Sequence, residues 1–244
     1  MKITNLASGS KGNCTLIELK NKNILIDIGL PLSNLEKRLG RPFPQIDILI
    51  ITHTHSDHIK GINSIIRKQK PNIYALESLK GESILPKETN YQNIIEDKNL
   101  LIELFPLSHD VPCAGVYIKS NKKELVYITD TGYIKNKLLT NYQNKNIYII
   151  ESNYEEEMLR NGKYPYHLKQ RIRSDRGHIS NEDSCKYLTK LIGDRTKYVL
   201  LAHLSEENNS PEVVDERITK LIEKLEYKPK KLILNQEKTN TVEV

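Results

Sequence analysis

Ile50-Ile51-Thr52-His53-Thr54-His55-Ser56-Asp57-His58 sets three imidazoles and a carboxylate directly behind an Ile-rich run of strand length. Along extended chain, residues two apart point to the same side, so His53 and His55 converge on one point. The chain then turns into a helix, which re-aims Asp57 and His58 toward a second position. Neutral imidazoles and a carboxylate are donors that a borderline divalent ion such as Zn²⁺ or Mn²⁺ accepts. Three of the seven histidines of the chain fall in this one segment, a density that capping a strand end does not require.

Working outward, apolar runs at 15–19, 23–28 and 46–52 read as strands. Ser33 with Glu36 three residues on is a capping-box pattern and Gly40 a stop, which predicts a short helix over 33–39. Ile59, Ile62, Ile65 and Ile66 recur at helical spacing until Pro71. Further strands are predicted at 72–75, 100–104, 115–118, 124–129 and 147–150, then at 198–202 and 231–234. Helical periodicity covers 166–172, 181–191 and 211–225. Strands and helices interspersed in this way require helices on the outer faces of sheets, an α/β architecture. Without internal repeats, low-complexity tracts or linkers, residues 1–244 are expected to form one domain.

Hydrophobic residues are 38% and charged residues 28% of the chain, far from the signature of disorder. Neither a signal-peptide core nor an apolar run of membrane-spanning length is present, so a cytoplasmic protein without membrane contact is expected. Cys14, Cys113 and Cys185 are odd in number and far apart, and are read as buried thiols. The net charge of +6 favours a polyanionic partner, although basic residues are spread throughout.

H-x-H-x-D-H after an Ile-rich strand is the signature of the metallo-β-lactamase superfamily, which this chain resembles well beyond that motif. Asp27 in Leu25-Ile26-Asp27-Ile28-Gly29 is similar to the superfamily's first motif, an aspartate that braces the metal loops. His109, Asp130 in Thr129-Asp130-Thr131-Gly132, and His203 resemble its later ligand motifs. The resemblance implies a four-layer αββα sandwich and two divalent metal ions, Zn or Mn. One would be held by His53, His55 and His109, the other by Asp57, His58 and His203, with Asp130 between them. Two such ions against two carboxylates leave the site positive and suited to an anionic substrate. Ions about 4 Å apart can generate a bridging hydroxide nucleophile and clamp a phosphodiester.

Longer matches narrow the resemblance to the YycJ (WalJ) branch of the superfamily. They lie in Leu6-Ala7-Ser8-Gly9-Ser10-Lys11-Gly12-Asn13-Cys14, in the segment 164–173, in Gly177-His178-Ile179-Ser180-Asn181, and in Leu204-Ser205-Glu206-Glu207-Asn208-Asn209. That branch is described as DNA exonucleases acting from 5′ ends with a proposed link to mismatch repair. A metal-dependent phosphodiesterase acting on nucleic acid, DNA first, is the implied function.

His178 and Asp57 are the expected catalytic residues. His178 precedes Ser180 and Asp183, a capping pattern that opens a helix whose free N–H groups can meet a phosphate. His178 beside it can donate a proton to the leaving oxygen. Arg171 and Arg173, in a basic run with Lys169 and Arg176, are expected at the phosphates, with Tyr164 and Tyr166 as stacking surfaces. Asn13, in a loop where Gly9 and Gly12 allow close backbone approach, and Ser180 are also expected to bind substrate. His167 is read as an ordinary, partly buried histidine. Many relatives carry a histidine where this chain has Tyr154, so no metal-adjacent role is expected there.

Three other readings use the same residues. A small-molecule hydrolase of this fold, cleaving a cyclic phosphodiester, thioester or lactone, would need a closed apolar pocket in place of a basic groove. An RNA-processing nuclease would grip its substrate without an inserted domain, from this domain alone or from a homodimer. A regulatory protein that has lost catalysis is difficult to reconcile with a filled ligand set.

Overall fold

The computed structural model describes residues 1–244 and builds two seven-stranded sheets. In chain order its elements are β1 (Lys2–Ala7), β2 (Cys14–Glu18), β3 (Asn23–Ile26), α1 (Leu32–Leu39), β4 (Ile48–Ile51), α2 (Ser56–Ile59), α3 (Ile62–Lys68), β5 (Asn72–Ala75), β6 (Asn90–Tyr91), β7 (Ile94–Asp97), β8 (Leu100–Leu107), β9 (Cys113–Ser120), β10 (Lys123–Ile128), α4 (Asn136–Asn141), β11 (Ile147–Glu151), α5 (Glu156–Asn161), α6 (Tyr166–Arg173), α7 (Asn181–Leu191), β12 (Tyr198–Ala202), α8 (Pro211–Lys224), β13 (Lys230–Ile233) and β14 (Asn240–Glu243).

One sheet runs β14-β1-β2-β3-β4-β5-β6 and the other β13-β12-β11-β10-β9-β8-β7. Period-two alternation makes the second sheet two-faced. Leu125 and Tyr127, Ile147 and Ile149, and Leu200 and Ala202 join the large core shared with the first sheet. Their neighbours Val126 and Ile128, Tyr148 and Ile150, and Val199 and Leu201 form a second core with Leu139, Leu188, Val214 and Ile218 of α4, α7 and α8. Leu32 and Leu35 of α1 and Ile62 and Ile65 of α3 cover the first sheet. The four layers are therefore helix, sheet, sheet, helix, as expected. None of the helices is long and apolar enough to cross a membrane.

Several local expectations need correction. Ser33 does not cap α1: the helix starts behind Pro31 without a side-chain bond, and Glu36 pairs with Lys68 instead. The helix after the histidine cluster is broken into α2 and α3: the Gly61 N–H donates to the Ile28 carbonyl at 2.7 Å and the Asp57 carbonyl accepts from the Asn13 N–H at 2.8 Å, so the helical bond between them is not made. Cys185 is only half-buried, unlike Cys14 and Cys113. His167 is exposed, on the outer side of a helix that buries Ile172.

What matters for function is the polarity of the strands. β3, β4 and β5 are mutually parallel, as are β10, β11 and β12. The segments after β3, β4, β8, β10 and β12 carry Asp27, His53 to His58, His109, Asp130 and His203, with Glu151 ending β11. Carboxyl ends of strands are where ligands collect in open α/β sheets.

Candidate metal centre

Three of these residues leave their strands in the left-handed region: Asp27 at φ 58°, Asp130 at 60° and His203 at 56°. A side chain bearing a Cβ costs about 1–2 kcal/mol there, a strain that the surrounding structure holds in place. The turn swings each side chain off the strand axis and toward the space between the sheets. Glycine does the complementary work beside it: a Cβ on Gly29 would lie 1.7 Å from the Asp57 carbonyl oxygen. Only a bare backbone lets the Asp27 loop and the histidine loop touch.

On one side of the centre, Nε2 of His53 lies 3.1 Å from Nδ1 of His55, which lies 3.4 Å from Nε2 of His109. The remaining nitrogens are held outside this triangle. His109 Nδ1 donates to the Gly177 carbonyl at 3.2 Å, and His53 Nδ1 lies 3.1 Å from the Thr52 hydroxyl. Burial, with the neighbouring imidazoles adding to it, pushes His53 well below the ordinary histidine value, and burial also lowers His109. Neutral rings are the form that binds a metal.

The other side is rich in carboxylates. His58 Nε2 lies 3.4 Å from Asp57 Oδ2 and 3.5 Å from Asp130 Oδ2. His203 Nε2 faces Asp57 Oδ2 at 3.9 Å. Burial opposes charge on His58, but the carboxylates of Asp27, Asp130 and Asp57 outweigh it and push the ring up to about 10. His203 is raised in the same way by Asp130, Asp57 and Glu151 against its burial. Burial opposes ionisation of Asp57 too, yet His203 and His58 hold it well below the usual carboxylate range. A cation bound among these groups takes the place of such protons.

Whether a metal fits can be tested on the polar atoms that the protein leaves unsatisfied. Asp130 Oδ2 and His203 Nε2 are both buried and have no hydrogen-bond partner. Such atoms are costly unless something is bound to them. The groups His53, His55 and His109, then His53, His58 and Asp130, then Asp57, His58 and His203 each bring their donor atoms within 4.8 Å of one another. The donor set fits divalent ions, and all seven sequence-predicted ligands lie in this one cluster.

Sequence reasoning passed over Glu151. It is fully buried, and its Oε1 accepts from Nδ1 of His178 at 2.7 Å and of His203 at 2.8 Å. Its Oε2 accepts from the backbone N–H of Thr131 and of Ile179, each at 3.2 Å. Against burial, the imidazoles of His178 and His203 hold its carboxyl well below the usual range. A polar residue ending a five-residue buried strand was the available signal.

His178, Arg171, Arg176 and Tyr164 line a cleft of about 220 Å³ that reaches His109 and His203. Other predicted substrate contacts are placed elsewhere. Arg173 pairs with Glu156 and is not among the cleft residues. Ser180 is 1% exposed and caps α7, its hydroxyl accepting from the Asp183 N–H at 3.1 Å, so this helix start faces the interior and not the cleft. Asn13, also 1% exposed, donates from Nδ2 to Asp57 Oδ2 at 3.1 Å, which makes it a brace for that predicted ligand, and the same Nδ2 lies 2.9 Å from His58 Nε2. Tyr154 is buried in a small core with Leu159 and Ile172.

Known proteins share both this sequence pattern and this fold. A model of the beta-lactamase superfamily domain matches residues 22–203. Exodeoxyribonuclease WalJ of Streptococcus pneumoniae is 37% identical over 227 residues, covering 87% of this chain and 84% of that protein. Exodeoxyribonuclease YycJ of Bacillus anthracis is 34% identical over 233 residues, covering 89% and 88%. Among solved structures, the metallo-beta-lactamase fold protein YhfI from Bacillus subtilis superposes with a TM-score of 0.74 at 17% identity, covering 98% of each chain. The short form of human tRNase Z superposes with a TM-score of 0.62 at 15% identity, covering 84% of this chain and 93% of that one. The chain belongs to the metallo-β-lactamase superfamily, in the branch of the WalJ and YycJ proteins, and is a metal-dependent hydrolase.

Proposed function

We propose that the protein is a dinuclear exodeoxyribonuclease that degrades DNA from 5′ ends, in the cytoplasm and in the service of DNA repair. The observation that carries the reading is the cleft itself: it opens over the ligand cluster and presents Arg171, Arg176 and His178 to whatever lies there. An anion-binding lining of that kind suits a phosphodiester, and the names of the relatives at 34% and 37% identity support DNA as its source.

His53, His55 and His109 would hold one ion, Asp57, His58 and His203 the other, with Asp130 shared. Zn²⁺ or Mn²⁺ bound there would supply Lewis acidity, activation of water near neutral pH and neutralisation of phosphate charge. The chain's own residues do the rest. Asp27 orients His58, and Glu151 orients His203, each through its Nδ1. Glu151 also bonds Nδ1 of His178, which leaves Nε2 as the free nitrogen of a ring that lines the cleft. In its doubly protonated form His178 donates from Nε2 to the departing oxygen, and Glu151 stabilises the charge until the proton leaves. Arg171 and Arg176 bind flanking phosphates, and Tyr164 offers a ring to an unstacked base.

The test is digestion of 5′-labelled and 3′-labelled duplex DNA with added Mn²⁺ or Zn²⁺, beside Asp57→Ala, Asp130→Ala and His178→Ala. Metal-dependent loss from the 5′ end, abolished by either aspartate change and reduced by His178→Ala, is expected. A fully metallated protein that cleaves neither DNA nor RNA would instead be a small-molecule hydrolase.

A further inference from the structure

Asp110 has no task in the scheme above, yet it stands against the three-histidine side of the centre. Its Oδ1 lies 3.3 Å from His55 Nε2 and 3.2 Å from His109 Nε2. Its Oδ2 pairs with the guanidinium of Arg171, which lines the cleft. One carboxylate thus spans the metal-ligand loop and a residue of α6.

The attachment of α6 gives that span its meaning. Tyr154, Leu159 and Ile172, with Tyr164 and Leu168 against them, form a small core of their own, apart from the two large ones. α5 and α6 therefore make an arm, in which Lys169 bonds the Arg160 carbonyl and Arg173 pairs with Glu156, and which the backbone ties to the His178 loop where the His178 N–H donates to the Ile172 carbonyl at 2.9 Å. Of the two ion pairs that α6 makes, the Arg173 pair stays within the arm and the Arg171 pair crosses to Asp110.

We infer that Asp110 is a positioning residue: it docks Arg171, and with it α6, at the mouth of the cleft where a phosphate of the substrate enters. The substrate half of this inference rests on the proposed nuclease reading; the docking of α6 rests on the contacts alone. The alternative, a carboxylate that merely competes with phosphate for Arg171, has the opposite sign. Removing a competitor frees the guanidinium and tightens substrate binding, whereas removing a positioning residue lets arm and guanidinium wander.

Three measurements decide the matter. In hydrogen–deuterium exchange on the full chain without nucleic acid, Asp110→Ala is expected to speed exchange over Tyr166–Arg173 about three-fold, and Asp110→Glu to restore it. In steady-state digestion of 5′-labelled duplex, Asp110→Ala and Arg171→Ala are each expected to raise KM about three-fold, the double variant no further, with kcat within about two-fold of wild type. Calorimetric titration with Mn²⁺ is expected to give the same stoichiometry in Asp110→Ala as in wild type. Unchanged exchange in α6, a fall in KM, additive KM increments, or a lost metal equivalent overturns the inference. A wild type that digests no DNA overturns the nuclease reading instead, and the exchange experiment then decides the role of Asp110 by itself.

Discussion

Oδ2 of Asp27 lies 2.7 Å from Nδ1 of His58, and both side chains are closed to solvent. Thr52 completes the arrangement, its N–H and hydroxyl each donating to the Asp27 carboxylate at 2.8 Å. The carboxylate fixes which ring nitrogen of His58 carries the proton and so points Nε2 at Asp57 and Asp130. Asp27→Asn tolerates the left-handed turn and preserves shape, so it isolates this effect. Its affinity for Mn²⁺ or Zn²⁺ in a calorimetric titration is expected to fall about 10- to 100-fold; undiminished affinity would mean that packing alone orients the ring.

Glu151→Gln places an amide where four donors converge. Its NH2 group either meets the N–H groups of Thr131 and Ile179 or faces Nδ1 of His178 and His203, where it forces both rings to carry the proton on Nε2 instead. A loss of about 2 kcal/mol in urea unfolding is expected, with hydrolysis reduced at least about ten-fold because both imidazoles lose their anchor.

Removal of metal by a chelator is expected to lower the melting temperature, and excess Mn²⁺ or Zn²⁺ to restore it. The unsatisfied Asp130 Oδ2 and His203 Nε2 are buried in the folded chain, so an ion bound there favours that state; at a hundredfold excess over Kd the gain is about 2.7 kcal/mol. Asp130→Ala should show a smaller restoration in the same thermal scans, and an equal one would remove Asp130 from the ligand set.

Gly29→Ala and Gly40→Ala separate crowding from backbone strain. A Cβ at Gly29 meets the Asp57 carbonyl oxygen at 1.7 Å and the Asn13 nitrogen at 2.5 Å, whereas one at Gly40 meets nothing within 4 Å despite its φ of +69°. Gly40→Ala should cost about 1 kcal/mol in denaturant unfolding, and Gly29→Ala more than about 3 kcal/mol, with metal binding lost.

Glu124 makes stability depend on acid far from the centre. Burial raises its carboxyl, but the Tyr117 hydroxyl at 2.5 Å, Lys145 at 3.4 Å and Arg195 outweigh this and hold it below the ordinary value. A depressed carboxyl stabilises the fold above its unfolded value and loses that contribution as pH falls through its folded one. Glu124→Gln should therefore be less stable than wild type by about 1 kcal/mol at pH 7, with the gap closing as the pH is taken below about 4.5. A gap that stayed constant down to acid pH would assign the effect to packing.

Local chemistry was readable wherever neighbours in sequence are neighbours in space. His53 to His58 are consecutive, and the strand before them is a plain apolar run, so spacing alone put them at one strand end. α7 and β12 run over 181–191 and 198–202 as expected, because each buries one well-marked face or run. The pattern failed where a residue's partner lies far along the chain: Ser33 looks like a cap, yet nothing binds its side chain, and Glu36 is drawn to Lys68. Ser180 does cap its helix, but whether that helix start meets substrate or the interior depended on Tyr154 pairing beside it.

What the sequence by itself determined is the kind of chemistry: imidazoles and carboxylates in ligand spacing at strand ends, within an α/β alternation. What only the tertiary structure decided is which groups serve one another. Asn13, Asp27, Asp110 and Glu151 reach their histidines across 45, 31, 55 and 52 positions, the first at His58, the second at His58, the third at His55 and the last at His203. Periodicity encodes which face of a strand or helix is buried, but these contacts depend on hydrogen-bond and ion-pair distances of a few ångströms between separate strand ends. Those distances are set only when two sheets pack face to face and left-handed turns at Asp27, Asp130 and His203 swing the side chains inward.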